Sequence, residues 1–454
     1  DFLGLRNLSL IENILWAIEE NENVKISLND IPFNDAKTFD LLAKGDTTGV
    51  FQLESDGMRK VLQQLKPTEF EDIVAVNALY RPGPMQNIPD YIAGKHRLKT
   101  VQYMHPDLEP ILQSTYGVIV YQEQIMQIAT KAAGFTLGEA DLLRRAVGKK
   151  KRDILLRERQ HFVAGCLEQG YDEKSADALY DLIVRFADYG FPRSHAVAYS
   201  VIAYQLAFLK ANYPAYFMAA LLSSVIGNHD KVNQYIKESE QRGIPVLPPS
   251  IKKGSEIFIS NGSSITFGLL AIKNVGYNAI RMLMTENQKE PFHDLFDICS
   301  RCPQKVVNKR TLESLIFAGA LDELGQDRAV LLASLETAIE YGEEFQEISR
   351  KNQMYLFDDD INLPKPSYVS VQSFQESEKL KFEKEALGFF FSSHPLQRFR
   401  TTLISWKAVN INELKEKKSS VRLGVLVDKV RAIKTKKGEL MAFLTISDES
   451  GEIE

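Results

Sequence analysis

Apolar residues recur at helical spacing along most of this chain and alternate at strand spacing only towards its end. That pattern predicts a mainly α, multidomain fold with a small β element at the C-terminal end. Leu8, Ile11, Leu15 and Ile18 mark a first helix after a short strand end at residues 1–5. From there to about residue 225 most segments read as helical. Arg81-Pro-Gly-Pro84 and Asn212-Tyr-Pro214 interrupt them, since proline lacks the N–H a helix interior needs. A looser stretch holds Pro245, Pro248 and Pro249, with brief strands expected at 257–259 and 265–267. Helices return from Leu269 to about 350. An acidic linker follows, carrying Asp358, Asp359, Asp360, Pro364 and Pro366. In residues 421–454, Leu423-Gly-Val-Leu-Val427 and Ala442-Phe-Leu-Thr-Ile446 alternate with period two around a turn at Lys436-Lys-Gly438, the pattern of antiparallel strands.

The chain has 454 residues, room for about three domains, and its 44% hydrophobic content supplies their cores. No apolar run reaches 18 residues, so no membrane span is expected. Three cysteines and no signal-peptide pattern fit the cytoplasm. Cys299-Ser-Arg-Cys302 has neither a second pair nor a nearby histidine cluster, so no zinc site is expected there.

Net charge is −5, yet six cations fall within residues 144–152: Arg144, Arg145, Lys149, Lys150, Lys151 and Arg152. Either the run is a solvated helix end or it meets a polyanion. Thr136-Leu-Gly-Glu139 reads as a capping box, starting a helix through Leu142 and Leu143 that ends near Gly148. Forty residues on, Gly190-Phe-Pro-Arg-Ser-His-Ala-Val-Ala-Tyr199 forms an extended turn with Ser194 as the expected N-cap. The following helix carries Ala198, Val201, Ile202, Gln205, Phe208 and Leu209 on one stripe. Arg193, Ser194 and His195 thus gather at a helix N-terminus, where free amides favour phosphate; the alternative for His195 is a packed first-turn histidine.

Gly268-Leu-Leu-Ala-Ile-Lys-Asn-Val-Gly-Tyr-Asn-Ala279 has helix-hairpin-helix form, with Ile272 and Val275 bracketing the hairpin and Gly276 opening the next helix. Such a hairpin offers amides to a phosphate without reading bases, and Lys273 adds a cation. Residues 308–321 look like its degenerate partner, and an ordinary helical hairpin is the plainer alternative. Gln353-Met-Tyr-Leu-Phe357 sets apolar side chains among charged flanks, either to dock on a partner or to end a helix on its own domain.

These stretches resemble, in order and along almost the whole chain, the C-family replicative DNA polymerases, the alpha subunits of bacterial DNA polymerase III. Asp1-Phe-Leu-Gly-Leu-Arg6, Gly49-Val-Phe-Gln-Leu-Glu-Ser55, Arg81-Pro-Gly-Pro84 and Tyr116-Gly-Val-Ile-Val-Tyr-Gln-Glu-Gln124 carry the likeness. So do Leu143-Arg-Arg-Ala-Val-Gly-Lys-Lys-Lys151, Gly190 to Tyr199, Ala386-Leu-Gly-Phe389 and Ser393-His-Pro395. The resemblance implies a carboxy-terminal piece of a larger polymerase. Its parts would be a palm end (1–6), fingers (7–250), tandem hairpins (251–350), a clamp-binding segment with linker (351–412) and a partial OB-fold (413–454).

Asp1 would be the last of three catalytic aspartates, a ligand in a two-Mg2+ site. The others would lie upstream, so this piece alone is expected not to polymerise. Arg144, Arg145, Arg193, Ser194 and His195 would meet the incoming dNTP, His195 against its sugar. Lys149, Lys150, Lys151, Lys273, Val275 and Gly276 would meet primer-template DNA. Gln353, Met354, Leu356 and Phe357 would dock on the sliding clamp, and other replisome subunits are further expected partners. A non-enzymatic DNA-binding and clamp-tethering module is the main alternative. A repair nuclease or ligase lacks its own carboxylate or lysine signature here.

Overall fold

The computed structural model describes residues 4–148, 152–187, 190–355, 363–414, 420–435 and 438–454; for 146–148, 152–155, 187 and 352–355 only the backbone is described. Among them lie twenty α-helices and two small antiparallel sheets. The chain divides into two compact units, residues 1–217 and 218–454.

In the first unit, one core lies among the helices Gln122–Ala133, Leu137–Gly148, Arg152–Glu168 and Glu173–Ala187. Ile125, Ile128, Leu143, Phe162, Cys166 and Ile183 are among its fully buried members. Two of these helices approach so closely that a Cβ on Gly165 would lie 2.3 Å from the Ala133 carbonyl oxygen. A second core forms where helix Arg193–Asn212 packs between Ala36–Ala43 and Phe70–Leu79. Tyr204 anchors it, donating to the Pro32 carbonyl and accepting from the Asp35 N–H.

The expected stripe of the Arg193 helix holds only at Gln205 and Leu209, which are buried. Ala198 is exposed and Val201 and Ile202 half-buried, whereas Ala196, Ala203, Tyr204 and Ala207 face the core. The helix is covered by neighbours on several sides from residue 203 to 210, so amphipathic spacing misjudges its inner face. Helix Arg6–Glu22 buries Leu10, Ile11, Ile14 and Ile18, leaving the expected Leu8 outside; Gly4 and Leu5 form no strand.

In the second unit a two-residue strand pair, Ile259–Ser260 with Ile265–Thr266, precedes the helical part. Helix Leu335–Tyr355 packs on Leu295–Arg301 so tightly that a Cβ on Gly342 would meet the Cys299 carbonyl at 2.4 Å. Near the end, strands Leu426–Lys434, Leu440–Ser447 and Glu452–Ile453 form an antiparallel sheet in chain order. The first begins three residues later than 423 and carries a register shift between Val427 and Lys429. The fold is thus mainly α with a small C-terminal β-sheet.

Candidate functional site

Three motifs far apart in sequence line one cleft of about 490 Å³ in the first unit. Gly49 to Ser55 supplies Phe51, Gln52, Glu54 and Ser55; Arg81 stands at the end of the Phe70–Leu79 helix; Phe191, His195 and Tyr199 come from the 190–199 segment. Ser55 also caps helix Asp56–Leu65, accepting from the Met58 N–H at 3.3 Å, which fixes the first motif's exit. Arg81 donates through Nε to the Ala78 carbonyl at 2.8 Å and lies over the Phe191 ring at 4.3 Å. His195 stacks on Tyr199 at 4.3 Å and meets Phe191 edge-on at 5.3 Å. The cleft therefore pairs a cation with flat aromatic walls, surfaces that suit a planar ring.

The segment bearing His195 is held by residues 120–124. The Phe191 N–H donates to the Val120 carbonyl and the Gln122 N–H to the Phe191 carbonyl, each at 3.1 Å. The Arg193 N–H donates to both Glu123 carboxylate oxygens, at 3.1 and 3.0 Å, and the Arg193 side chain pairs with Glu71 at 2.7 Å. Ser194 is not the N-cap. The helix starts at Arg193 after Pro192, and the Glu123 carboxylate satisfies the Arg193 amide instead. A negative group on a helix N-terminus is favourable, and here the protein supplies one itself.

Helix Leu137–Gly148 forms with the expected box: Glu139 accepts from the Thr136 N–H at 2.8 Å, and Thr136 accepts from the Glu139 N–H at 3.3 Å. Its leucine pair is split, with Leu143 fully buried and Leu142 61% exposed. Arg144 and Arg145 share one carboxylate. Arg144 gives Asp141 its Nε (3.0 Å) and Nη2 (2.7 Å), and Arg145 gives it Nε at 2.8 Å. Hydrogen bonds from Arg144, with the charge of both guanidiniums, hold the Asp141 carboxyl below its ordinary value. Arg144 Nη1 also donates to Gln122 Oε1 at 3.0 Å, and Gln122 Nε2 donates to the Gly190 carbonyl at 3.0 Å. The two arms expected to act together, Arg144 and residues 193–195, are thereby joined through the 120–124 segment. Neither Arg144 nor Arg145 lines the cleft.

In the second unit the hairpin at 272–276 is formed. Ile272 and Val275 are buried, Asn274 adopts a left-handed φ of 61°, and Gly276 caps helix Tyr277–Lys289. A 3-10 turn, Leu269–Ala271, stands where the first helix of the motif was expected. Thr311 donates to the Asn274 carbonyl at 3.1 Å and Asn274 to Ser314 Oγ at 3.2 Å, buttressing the hairpin from helix Lys309–Phe317. Val275 faces inward, Lys273 is half-buried, and Asn274, Gly276 and Tyr277 are exposed. The degenerate second half is filled by its own chain. Arg328 pairs with both Asp322 oxygens, at 2.8 and 2.6 Å, and occupies the space a Cβ on Gly319 would take.

Asp1, Lys149, Lys150, Lys151, Leu356 and Phe357 lie outside the described residues; Gln353 and Met354 end helix Leu335–Tyr355, without described side chains. No group of three His, Cys, Asp or Glu among the described residues could hold a metal ion. Cys299 and Cys302 are free and buried, and burial pushes both thiols up to about 12. No helix among the described residues is long and apolar enough to cross a membrane.

Sequence reasoning gave no role to Arg81, Gln122, Glu123 or Asp141. The first three lay inside motifs already singled out for resemblance, which was the available signal.

A helical unit with this cleft, followed by a hairpin turn at 272–276 that opens a helix, has the arrangement of a helix-hairpin-helix protein. Residues 243–331 match the helix-hairpin-helix motif family, and residues 7–170 match the bacterial DNA polymerase III alpha subunit finger domain. The chain belongs to the family of bacterial DNA polymerase III alpha subunits. It is 56% identical over its whole length to DNA polymerase III subunit alpha of Bacillus subtilis, covering 41% of that protein. Against the subunit of Halalkalibacterium halodurans the identity is 52% over the whole chain and 40% of the relative; against that of Staphylococcus aureus it is 45%, over 99% and 41%. The chain thus spans about two fifths of the length of these curated relatives.

Proposed function

We propose that this chain is part of a template-directed DNA polymerase that adds dNTPs to a primer 3′ end in the bacterial cytoplasm. The observation that carries the reading is the joining of Arg144 to the 190–195 turn through Gln122, beside a cleft walled by His195, Tyr199, Phe191 and Arg81. The triphosphate lies across Arg144, Arg145, Arg193 and Ser194, with His195 towards the sugar. Guanidinium forks suit phosphate oxygens, and among these residues Arg144 is half-buried while Arg145, Arg193 and Ser194 stay exposed to a ligand. Asp1 is a ligand of the Mg2+ pair that supplies the charge stabilisation of phosphoryl transfer.

The exposed backbone at Gly276, with Lys273, grips primer-template phosphates; Lys149, Lys150 and Lys151 touch template phosphate, and Gln353, Met354, Leu356 and Phe357 dock on the sliding clamp beside other replisome subunits. The parts run as palm end (1–6), fingers (7–250), tandem hairpins (251–350), clamp segment and linker (351–412) and partial OB-fold (413–454).

One observation favours the second reading, a DNA-binding and clamp-tethering module whose fingers are scaffold: Arg144, Arg145 and Arg193 are all paired with the protein's own carboxylates. Steady-state extension by the full-length chain separates the two. Arg145→Ala should raise the dNTP KM at least about ten-fold, the scale of a charge-assisted phosphate contact, with little change in primer-template affinity. A change in DNA affinity alone supports the scaffold reading.

A further inference from the structure

We propose that Gln122 is a positioning residue that locks the arginine helix to the turn carrying Arg193, Ser194 and His195; its consequence for nucleotide rests on the triphosphate reading above. A glutamine amide offers an acceptor and a donor on opposite atoms, and Gln122 uses both. Oε1 accepts from Arg144 Nη1 at 3.0 Å while Nε2 donates to the Gly190 carbonyl at 3.0 Å. The order is forced, because a reversed amide would turn NH₂ on the guanidinium and oxygen on the carbonyl. Its own N–H holds the next carbonyl, that of Phe191, at 3.1 Å.

The turn is pressed onto this helix. A Cβ on Gly190 would lie 3.2 Å from Gln122 Cγ and from Ile125 Cδ1. On the other side, Arg144 is fixed on two edges, by Asp141 and by Gln122, and its side chain is only 25% exposed. Removing Gln122 therefore frees one guanidinium edge and one turn carbonyl together. Glu123, the adjacent residue, binds the Arg193 amide and cannot replace either bond. Two arms 46 residues apart (144 and 190) stay in register because one side chain touches both.

The test compares Gln122→Ala and Gln122→Glu in the full-length chain. Gln122→Ala should raise the dNTP KM about ten-fold, as loosened orientation does, with kcat and primer-template Kd changing less than about two-fold. In an Arg144→Ala background the same substitution should add less than about two-fold, because the residue acts through Arg144. An unchanged KM, or a full effect without Arg144, overturns the proposal. Gln122→Glu keeps the bond to Arg144 and loses the one to Gly190, so it should recover part of the KM.

Should Arg144→Ala itself leave the dNTP KM alone, the triphosphate reading falls, and positioning is judged separately. In ¹⁵N-arginine-labelled protein, Gln122→Ala should speed exchange of the Arg144 Nη1 protons, which Gln122 accepts, and Gln122→Glu should not, with the Asp181-paired Arg159 Nη1 as internal control. No acceleration in Gln122→Ala ends the idea independently of nucleotide.

Discussion

Gly276 caps its helix with an ordinary φ of −93°, and a Cβ there would meet nothing within 4 Å. A side chain at this position meets no neighbour and adds bulk at the exposed helix start beside the hairpin. Gly276→Val should therefore keep thermal stability within about 1 kcal/mol, while duplex affinity falls for every sequence and the salt slope shrinks. Unchanged duplex affinity would make the hairpin structural. A different residue shows what burial demands. Asp72 is fully buried and its partner Lys95, 2.7 Å away, is 8% exposed. Lys95→Met leaves the buried carboxylate without its cation, held by the Thr68 and Glu69 N–H groups, and should cost roughly 3 kcal/mol by denaturant titration. At this scale the sequence was partly readable. Thr136 and Glu139 sit three residues apart and announce their box locally. Ser194 misled because Glu123, 70 residues upstream of Arg193, takes the capping role, and no local pattern carries such a contact. Leu142 and Leu143 looked alike because adjacent helix positions differ by about 100° and the direction of the core is not written in either.

Helix pairs reveal where backbone, not side chain, decides the packing. The Cβ of an alanine at 165 would stand 2.3 Å from the Ala133 carbonyl oxygen, so Gly165→Ala must push apart the helices that frame the basic helix. We expect a loss of about 1–3 kcal/mol on unfolding and a raised dNTP KM from the displaced arginines; wild-type stability would mean the helices yield without cost. The terminal sheet has its own latch. Asp448 accepts from the Ile411 N–H at 2.6 Å, the Ser450 N–H at 2.7 Å and the Gly451 N–H at 2.9 Å. Burial opposes its charge, but these bonds and the Ser450 hydroxyl outweigh it and hold the carboxyl below its ordinary value. A depressed carboxylate stabilises fully above its unfolded pKa, about 3.9, and loses that contribution as pH falls through the folded value. Amide exchange at Ile411 and Gly451 should accelerate below about pH 4, and Asp448→Asn should remove that acid-dependent step. Element type was legible along most of the chain from period and punctuation, but not at Gly4 and Leu5, which form no strand, or at Leu269–Ala271, a 3-10 turn in place of a helix. The inner face of the Arg193 helix was not, because a helix covered on several sides has no single stripe to find.

Across the whole molecule the proposed tasks are divided by sequence position: nucleotide in the first unit, duplex grip and clamp contact in the second. The proposed clamp segment lies in sequence between two anchored stretches of the second unit. Upstream, helix Leu335–Tyr355 is packed on Leu295–Arg301. Downstream, Tyr368 accepts from the Leu295 N–H at 3.1 Å and sets its ring 5.0 Å from Phe296, while the Val369 N–H donates to Ser334 Oγ at 2.9 Å. Residues 356–362 therefore lie in sequence between two stretches that both pack on helix Leu295–Arg301. A tethered peptide loses less entropy on docking than a free one, yet a pentapeptide still has few anchors, so roughly micromolar affinity is expected. Weak docking suffices, because a clamp encircling DNA keeps the polymerase at high effective concentration. Leu356 and Phe357, as the apolar anchors, should carry most of the energy. Replacing both by Ala in the full-length chain should leave distributive extension of short primers intact and abolish the long products that added clamp otherwise produces. Full clamp stimulation without these two side chains would remove the tethering role and leave nucleotide and duplex binding as the chain's remaining proposed tasks.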